Sequence, residues 1–329
     1  MFRKDVVCLC VMSLLLIAGS VFAAEKPANY PAKPIEMIIS FNAGGGMDTT
    51  FRVIAKYAEQ LLGQRVVVSN KPGGGNIQGN VEAMKARPDG YVLGTWGNGL
   101  VTDQLLLKGI PYVYTDVQPV CMVGIDPNVL AVGAKWAAEN NIKTLQDLMK
   151  YAKENDGKVS FGAGGNWTPH DFFRIKIEDA GGFKFKRMPF SGGAPAMQSV
   201  AGGSCDVASP FLPEILNMID SGLLLPLAVG SESRVAQLPD VPTVGECGYA
   251  GAEQGIWRLV SVPKATPKPI VDYLASVFEQ VLANPEFKEE AKKIGVNPVF
   301  IGPDKVAAFI DDEFKYFEKK TEEWGIRVK

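Results

Sequence analysis

A glycine-rich stretch, Asn42-Ala43-Gly44-Gly45-Gly46-Met47-Asp48, lies between an isoleucine-rich run at residues 35–40 and an amphipathic segment at residues 49–62. The run predicts a strand, and the segment predicts a helix because its apolar residues recur at helical spacing. Glycines let backbone N–H groups approach a ligand closely, and the start of a helix adds unpaired N–H donors and the positive end of the helix dipole. The stretch therefore predicts a strand–loop–helix unit whose loop holds a small anion, with Asp48 as the N-cap of the helix.

The spacing of these glycines does not match a nucleotide-binding loop. Gly44 and Gly46 fit the first and third positions of the dinucleotide fingerprint, but the sixth position holds Thr49. A cluster that starts at Gly73 has Gln78 in the sixth position, and neither cluster is followed by the Lys-Ser/Thr pair of a phosphate loop. On the residues alone, two interpretations stay open: an anion-binding loop and a tight turn without a ligand.

A second glycine-rich stretch reads Gly162-Ala163-Gly164-Gly165-Asn166-Trp167-Thr168-Pro169-His170 and lies about halfway along the chain. It has the same predicted strand–loop–helix arrangement, with Pro169 in the first turn of the helix. Asn166 and Thr168 offer hydrogen-bonding side chains, and Trp167 offers a flat apolar wall. Ligands of open α/β sheets bind beyond the carboxyl ends of the strands, so two such loops predict a cleft between two lobes.

Length and composition predict a globular protein with two domains. The chain has 329 residues, of which 47% are hydrophobic and 21% charged, and this length suits two domains of ordinary size. Lys and Arg number 34 against 36 Asp and Glu, so no basic excess indicates nucleic-acid binding. Strand-like runs alternate with helical patterns, which predicts an α/β fold with one or two parallel sheets. From Pro269 onward the chain is mainly helical, with one predicted strand at residues 298–301, and this part is expected to pack on the first lobe.

The N-terminus has the features of a secretory signal peptide. Arg3 and Lys4 precede an almost wholly apolar run at residues 6–22, which ends in small residues at Ala23. This pattern predicts export and cleavage after Ala23, so residues 1–23 are excluded from the fold. An uncleaved membrane anchor is the alternative interpretation, but the run is shorter than the ~20 residues that a transmembrane helix needs.

The chain lacks residue combinations that catalysis and metal binding require. His170 is its only histidine, no Gly-x-Ser-x-Gly sequence occurs, and no Cys-x-x-Cys pair follows residue 23. These absences argue against a serine triad, a histidine-rich metal site and an enzyme, and we expect no cofactor and no metal. His170 is expected to fix its loop by a hydrogen bond rather than to contact the ligand. Cys121, Cys205 and Cys247 are expected to be free thiols, with a Cys205–Cys247 bridge left open.

Short motifs along the chain after residue 23 resemble, in their order, those of the substrate receptors of tripartite tricarboxylate transporters, also called Bug receptors. The motifs are Tyr30-Pro31-Ala32-Lys33-Pro34-Ile35, Gly44-Gly45-Gly46-Met47-Asp48, Asn70-Lys71-Pro72-Gly73-Gly74-Gly75-Asn76, Arg87-Pro88-Asp89-Gly90-Tyr91, Pro189-Phe190-Ser191-Gly192-Gly193-Ala194-Pro195-Ala196, Leu238-Pro239-Asp240-Val241-Pro242-Thr243, Glu246-Cys247-Gly248 and Thr266-Pro267. Each motif is weak alone, but the ordered set is specific. The resemblance covers essentially the whole mature chain.

The resemblance implies an α/β, two-lobed periplasmic-binding-protein fold, type II-like, with mixed, mainly parallel sheets and flanking helices. The first lobe would comprise residues 24–125 and 255–329, and the second lobe residues 126–254. The two glycine-rich loops would hold a ligand carboxylate between them, partly through ordered water. The ligand-binding residues that the resemblance implies are Phe41, Asn42, Gly44, Gly45, Asp48, Asn98, Gly164, Gly165, Asn166, Trp167, Thr168, His170, Ser191, Gly192, Asp206 and Ser209.

Several residues depart from the family pattern. Asn42 lies in a stretch where proline is usual, and Trp167 lies where smaller residues are usual. Asp171 stands where an aliphatic residue is common, and Ser191 replaces a usual lysine. These departures keep a carboxylate-binding site plausible and point to differences in how the rest of the ligand is recognised.

The resemblance implies a periplasmic receptor that delivers a small organic acid to integral membrane transporter subunits. The acid would be a di- or tricarboxylate, or an aromatic or long-chain carboxylate if Phe41, Trp96 and Trp167 form its wall. Those three aromatic residues are equally consistent with core packing. A ligand-dependent partner of a membrane sensor kinase is the alternative function. We expect a monomer that binds no nucleic acid.

Overall fold

The computed structural model describes residues 24–74 and 76–328. The predicted signal peptide, residues 1–23, lies outside the described residues. Within the described ranges, no helix is long and apolar enough to cross a membrane. The chain folds into two mixed β-sheets with flanking helices, which confirms the predicted α/β, two-lobed class.

Strands and helices alternate along most of the chain, as the sequence pattern predicts. The strands are β1 (Ile35–Ile39), β2 (Val66–Asn70), β3 (Val92–Trp96), β4 (Val117–Pro127), β5 (Val129–Gly133), β6 (Ser160–Gly164), β7 (Lys186–Phe190), β8 (Val207–Ala208), β9 (Leu224–Val229), β10 (Gly255–Pro263) and β11 (Pro298–Ile301). The helices are α1 (Gly46–Leu62), α2 (Ile77–Lys85), α3 (Gly99–Leu106), α4 (Ala134–Glu139), α5 (Leu145–Glu154), α6 (Pro169–Gly181), α7 (Gly193–Ala201), α8 (Leu212–Asp220), α9 (Lys268–Ala283), α10 (Pro285–Lys293) and α11 (Pro303–Glu323).

The first sheet has the strand order β11-β4-β10-β3-β1-β2. Helices α1, α9 and α10 pack together on one face, where Phe51, Ile54, Phe278 and Phe287 belong to one buried apolar cluster. Helix α11 contacts α3 and β4 on the other face, where Phe317 is buried in a separate cluster. The C-terminal helices therefore pack on the first sheet.

The second sheet has the strand order β7-β6-β8-β5-β9. Its interior strand β5, which lies between β8 and β9, is fully buried and contributes side chains to both faces. Leu130 and Val132 belong to one apolar cluster, whereas Val129 and Ala131 belong to another on the opposite face. This alternation is the period of two that a strand buried on both faces requires.

The balance of strand directions differs from the prediction of mainly parallel sheets. β1 runs parallel to β2 and β3, and β6 runs parallel to β7 and β8. The other described pairings, β10 with β3 and β4, β11 with β4, and β5 with β8 and β9, are antiparallel. β4 carries the chain out of the first sheet and β10 brings it back, so these neighbours run in opposite directions. Simple alternation of strands and helices does not reveal such a return, and this explains the difference.

The two sheets are joined where the chain crosses between them. Asn128 lies between β4 and β5, and its N–H donates to the carbonyl oxygen of Gln254 at 2.9 Å. The outgoing and returning segments are therefore hydrogen-bonded neighbours at the crossing. Arg258 on β10 and Asp126 on β4 form a buried ion pair close by, with Arg258 Nε 3.1 Å from Asp126 Oδ2. This pair fixes the two connecting strands to each other.

We propose that residues 126–254 form the second lobe and that residues 24–125 and 255–329 form the first. The strands that flank both boundaries support the proposal, since β4 and β10 lie in the first sheet and β5 and β9 in the second. Each lobe then has its own sheet and at least one apolar cluster of its own, as expected of separate units. A further cluster joins Trp96 and Leu100 of the first lobe to Phe172 of the second.

Candidate functional site

A cavity of about 340 Å³ lies between the two sheets, beyond the carboxyl ends of β1, β3 and β6. We call it the cleft cavity, and we call residues 41–45 loop 1 and residues 165–168 loop 2. The residues that line the cavity are Phe41, Asn76, Asn80, Thr95, Trp96, Gly97, Asn98, Gly99, Leu100, Thr102, Asp103, Leu106, Leu107, Asn166, Trp167, Thr168, Pro169 and Ile256. Cavities of about 540 and 680 Å³ lie beside α2 and beside the hinge, but neither is lined by loop 1 or loop 2.

Loop 1 is held by Asp48, which is not the N-cap of α1 as the sequence predicts. The helix begins at Gly46 with Gly45 as its cap, and Asp48 lies in the first turn. The Asp48 carboxylate accepts the N–H of Gly44 at 2.8 Å and the Nδ2 of Asn70 at 2.9 Å, and it pairs with Arg52 Nε at 2.9 Å. Burial opposes ionisation, but these hydrogen bonds lower the pKa of Asp48. We call this arrangement the loop-1 brace.

The brace changes the roles expected for the loop-1 residues. Because Gly44 N–H donates to Asp48 and Gly45 N–H donates weakly to the carbonyl oxygen of Asn42 at 3.4 Å, these amides are engaged within the loop. Both Asp48 oxygens accept donors of the protein, so the observed role of Asp48 is to hold loop 1, and its contact with the ligand stays a prediction. Asn42, Gly44 and Gly45 are exposed and do not line the cleft cavity.

The start of α1 still offers donors to an anion. In the part of the chain that the structure describes, the N–H groups of Gly46, Met47 and Asp48 have no acceptor, as is usual for the first turn of a helix. Arg258 lies beneath this turn, with Nη1 3.0 Å from the sulfur of Met47. Free amides, the helix dipole and a buried guanidinium therefore meet at this end of α1.

Loop 2 has a similar brace, formed by Asp171 in the first turn of α6. Asp171 Oδ2 lies 3.4 Å from the N–H of Trp167, and Asp171 Oδ1 accepts Arg174 Nε at 2.9 Å and Arg187 Nε at 3.0 Å. Arg187 Nη2 also donates to the carbonyl oxygen of Gly165 at 3.0 Å. We call this arrangement the loop-2 brace. Arg187 was not predicted, because its strand lies far from the loop in sequence.

Trp167 connects the two lobes. Its backbone has φ 56°, in the left-handed region that aromatic residues rarely adopt. Its side chain lines the cleft cavity and packs against the apolar cluster that joins Trp96 of the first lobe to Phe172 of the second. The packing interpretation of Trp167 therefore applies, and its place at the cavity keeps the ligand-wall interpretation as a prediction.

His170 and Ser209 fix the base of α6. His170 Nδ1 donates to the carbonyl oxygen of Ser209 at 2.7 Å, and Ser209 Oγ donates to the carbonyl oxygen of His170 at 3.0 Å. Asn128 Nδ2 donates to the same Ser209 oxygen at 2.6 Å. Both His170 and Ser209 are buried and neither lines the cavity, so their contacts fit the loop-fixing role expected of His170.

The remaining predicted residues lie behind loop 2 or away from it. Gly164 is packed so closely that a Cβ added to it would lie 2.7 Å from Gly193 N and 2.8 Å from the carbonyl carbon of Gly192, so the loop after β7 supports loop 2. Ser191 is exposed, and neither it nor Gly192 lines the cavity. Gly165 is engaged with the loop-2 brace.

Asp206 lies at the wrong end of the second sheet to face the cleft, so that expectation is wrong. Asp206 Oδ2 accepts both the N–H and the Oγ of Ser160 at 2.7 Å, at the start of β6. Loop 2 follows the other end of this strand, and five residues of strand separate the two ends by roughly 13 Å. Asp206 therefore joins the starts of β6 and β8, at the end of the second sheet that lies away from loop 2.

The inner wall of the cavity, formed by α3 and its neighbours, contains polar residues that were not predicted. Among the described residues that line the cavity, only Asp103 is charged, and its Oδ2 accepts the hydroxyl of Tyr112 at 2.7 Å. Tyr112 in turn accepts Asn80 Nδ2 at 3.1 Å. Burial raises the pKa of Asp103 to about 6, and the hydrogen bond from Tyr112 opposes this rise. In the sequence, Asp103 could have been noticed as the only acid in the largely apolar segment Gly99–Leu106.

Asn98, which was predicted, lies at the same wall. It is only 3% exposed, and its Nδ2 donates to the carbonyl oxygen of Gly255 at 3.2 Å. Its Oδ1 is buried and receives no hydrogen bond from the described residues. The predicted residues that line the cavity are therefore Phe41, Asn98, Asn166, Trp167 and Thr168.

The described residues provide no evident metal or disulfide site. No group of three or more His, Cys, Asp or Glu side chains among them could hold a metal ion. Cys121, Cys205 and Cys247 are free thiols, and Cys205 and Cys247 belong to different apolar clusters. Burial raises the pKa of all three thiols.

Comparison with known proteins identifies the family. A sequence profile described as tripartite tricarboxylate transporter family receptor matches residues 50–326. Protein BugT of Bordetella pertussis is 31% identical over 324 residues, which are 98% of each chain. The structure of the periplasmic binding protein BugD aligns with a TM-score of 0.77 at 30% identity, covering 91% of this chain and 100% of BugD.

A second solved structure, described as a periplasmic transporter, aligns with a TM-score of 0.79 at 28% identity and covers 91% of this chain and 100% of its own. These likenesses extend over both lobes and confirm the resemblance that the ordered motifs predict. The profile and the relatives describe solute receptors, not enzymes. The chain therefore belongs to the receptor family of the tripartite tricarboxylate transporters.

Proposed function

We propose that the protein binds a small organic carboxylate in the cleft cavity and delivers it to the membrane subunits of a tripartite tricarboxylate-type transporter. The cavity is the observation that carries the proposal, because Phe41 of loop 1 and Trp167 of loop 2 reach it from opposite lobes. A ligand that contacts both loops would favour the closed arrangement of the lobes, which a membrane partner can distinguish from the open one. Family membership supports the receptor role.

The carboxylate is proposed to bind at the first turns of α1 and α6. Free N–H groups at Gly46 and Met47 and the dipole of the 17-residue helix α1 favour negative charge there. The 13-residue helix α6 begins at the cleft cavity, which Thr168 and Pro169 line, and α1 follows loop 1, whose Phe41 lines the same cavity. Two helix N-termini can thus hold an anion without a free arginine in the cavity.

The rest of the ligand is proposed to be compact and largely apolar. Phe41, Trp96, Trp167 and Ile256 supply apolar surface to the cavity. A volume of about 340 Å³ is at the lower end of small-molecule sites, which excludes large ligands. An aromatic or short-chain acid fits both properties.

The protein is proposed to act in the periplasm as a monomer. The description of BugD as a periplasmic binding protein supports this location. The predicted signal peptide at residues 1–23 would provide the route of export.

A thermal-shift screen of mono-, di- and tricarboxylates, aliphatic and aromatic, tests the proposal. A ligand that binds the folded protein raises the melting temperature by mass action, whereas the matching carboxamides should not. Titration calorimetry of any hit should show about tenfold weaker binding for Trp167→Ala and unchanged binding for the exposed control Leu223→Ala. If no carboxylate shifts the melting temperature, the proposed ligand class is wrong.

Delivery is tested separately, by uptake of the identified acid into cells that carry the transporter membrane subunits. Uptake should require the receptor and should fall with Trp167→Ala in proportion to the loss of affinity. Uptake that is independent of the receptor would contradict the transport role and leave a sensing role to be examined.

A further inference from the structure

The inner wall of the cleft cavity carries an acid, Asp103, that has no ion-pair partner among the described residues. Asp103 is partly buried, and in the described part of the chain no basic side chain lies within ion-pair distance of it. Its single hydrogen bond, from Tyr112, goes to Oδ2. Oδ1 is therefore left to accept a donor from outside the protein.

The other acids close to the site are all paired. Asp48 pairs with Arg52, Asp126 with Arg258, and Asp171 with two arginines. Burying a carboxylate without a cation costs free energy. Asp103 is therefore an exception among the acids close to the site. Such exceptions concentrate where a ligand supplies the missing partner.

The hydrogen bonds behind Asp103 run in one direction. Ser40 Oγ donates to Asn80 Oδ1, Asn80 Nδ2 donates to the Tyr112 hydroxyl at 3.1 Å, and Tyr112 donates to Asp103 at 2.7 Å. Each group in this series donates one hydrogen bond to the next, and Asn80 Nδ2 keeps a second N–H. What the series presents to the cavity is an acceptor, at Asp103.

A second acceptor lies beside the first. The buried Oδ1 of Asn98 has no partner among residues 24–74 and 76–328. Its orientation is fixed, because exchanging Oδ1 and Nδ2 would place two oxygens against each other at Gly255. The Asp103 carboxylate lies against Gly99, the residue that follows Asn98. A Cβ added to Gly99 would lie 3.0 Å from Asp103 Oδ2 and 3.1 Å from Asp103 Oδ1. Two residues that line the cavity, Asn98 and Asp103, thus each have an acceptor oxygen without a donor among the described residues.

We infer that the cleft cavity takes an organic acid that also carries an ammonium group, with the ammonium at Asp103 and Asn98 and the carboxylate at the first turns of α1 and α6. The inference rests on the proposed function, since it places the ligand in the same cavity. The aromatic walls at Trp96 and Trp167 suit an ammonium-bearing ligand as well, because ring faces attract cations. A second carboxylate at this wall would face the negative charge of Asp103, so di- and tricarboxylates are disfavoured.

Matched ligand pairs test the inference by titration calorimetry of the full mature protein at pH 7.5. One pair is 6-aminohexanoate and adipate, and the other is 4-(aminomethyl)benzoate and terephthalate; hexanoate and 4-methylbenzoate are the analogues without a second charge. In at least one series the amino acid should bind at least about tenfold more tightly than both of its analogues, as one charged hydrogen bond implies.

The variant Asp103→Asn should remove that preference, because it keeps an acceptor for Tyr112 but loses the charge. Its exposed control is Asp220→Asn, which should bind like the wild type. Tighter binding of adipate or terephthalate than of the amino partner would overturn the inference and leave the proposed function standing. Equal loss of all ligands in Asp103→Asn would assign Asp103 a structural role and also overturn it.

The wild-type series alone remains decisive if Asp103→Asn does not fold. A different failure, in which no carboxylate of any kind binds the wild type, would overturn the proposed function together with the inference. The two failures are therefore distinguishable by whether simple carboxylates bind.

Discussion

Loop 1 and loop 2 are built on the same plan but carry different residues at one position. In both, an aspartate in the first helical turn accepts the N–H of the residue four positions before it: Asp48 from Gly44 at 2.8 Å and Asp171 from Trp167 at 3.4 Å. In both, that residue has a left-handed backbone, with φ 80° at Gly44 and 56° at Trp167. Loop 1 meets the requirement with glycine, whereas loop 2 meets it with tryptophan.

The difference shows what loop 2 has gained. A left-handed backbone costs a non-glycine residue about 1 kcal/mol or more. The fold bears this cost at Trp167, where the side chain both lines the cleft cavity and contacts the first lobe. It also supports loop 2 with a stronger brace, since Asp171 pairs with two arginines and Asp48 with one. The comparison gives the acid at position 171 a role in holding loop 2.

The largest expected effect concerns the two braces. Asp171→Ala leaves Arg174 and Arg187 without their shared carboxylate in a largely buried setting, and should lower the free energy of unfolding by about 3 kcal/mol. Asp48→Ala should cost only about 1 kcal/mol, because the Arg52 side chain is 49% exposed and water can replace its partner. Urea unfolding followed by circular dichroism measures both, with Asp220→Ala as the exposed control. Equal losses would contradict the difference between the braces.

A smaller effect concerns Asp103 of the inner wall and Asp48 of loop 1, whose pKa values are shifted in opposite directions in the folded protein. The folded pKa of Asp103 is raised to about 6, above its unfolded value of about 4. The folded state therefore binds more protons between about pH 4 and 6, and stability falls as pH rises through this window. Asp103→Asn should raise the free energy of unfolding by about 1–2 kcal/mol at pH 8, allowing for its partial exposure, and have little effect at pH 4.

Asp48 should behave in the opposite way. Its pKa is lowered on folding, so its contribution is present above the unfolded pKa and is lost as pH falls through the folded pKa. Asp48→Asn should therefore reduce stability at pH 8 and have less effect in acid. Urea unfolding of both variants at pH 4, 6 and 8 would detect this opposition, and the same pH trend in both would contradict it.

The smallest expected effect is the free-energy cost of a left-handed backbone at Trp167 and at Gly44, the equivalent residue of loop 1. Trp167→Gly and Trp167→Ala both remove the side chain, but only the alanine keeps a Cβ in the left-handed region. The glycine variant should be the more stable by about 1 kcal/mol, and Gly44→Ala should lose a similar amount relative to the wild type. No difference between the two Trp167 variants would show that loop 2 relaxes to another backbone conformation.

The local parts of the fold could be predicted from the sequence, and the long-range parts could not. The strand before loop 1, the helix after it and the C-terminal helices follow from apolar periodicity and proline positions, and all appear close to the expected bounds. The antiparallel pairing of β10 with β3 and β4 could not be predicted, because it depends on a return of the chain from the second lobe.

The site divides in the same way. Phe41 and Trp167 lie in the loops that the glycines mark, so their place at the cavity follows from local sequence. Asp103 is brought to the cavity by α3, and no motif surrounds it. Asp206 was misplaced because strand β8 is very short and its two ends are not distinguished by sequence pattern. The positions of Asp103 and Asp206 depend on contacts between segments that are distant in sequence.

The position of Trp167 between the lobes also makes the protein its own optical sensor. An indole that lines the cavity and contacts the opposite lobe will change its fluorescence when a ligand displaces water from the cavity or when the lobes move. The difference between the emission of the wild type and that of Trp167→Phe would isolate this signal from the other tryptophans. Ligand binding could then be followed in stopped-flow experiments without any attached dye.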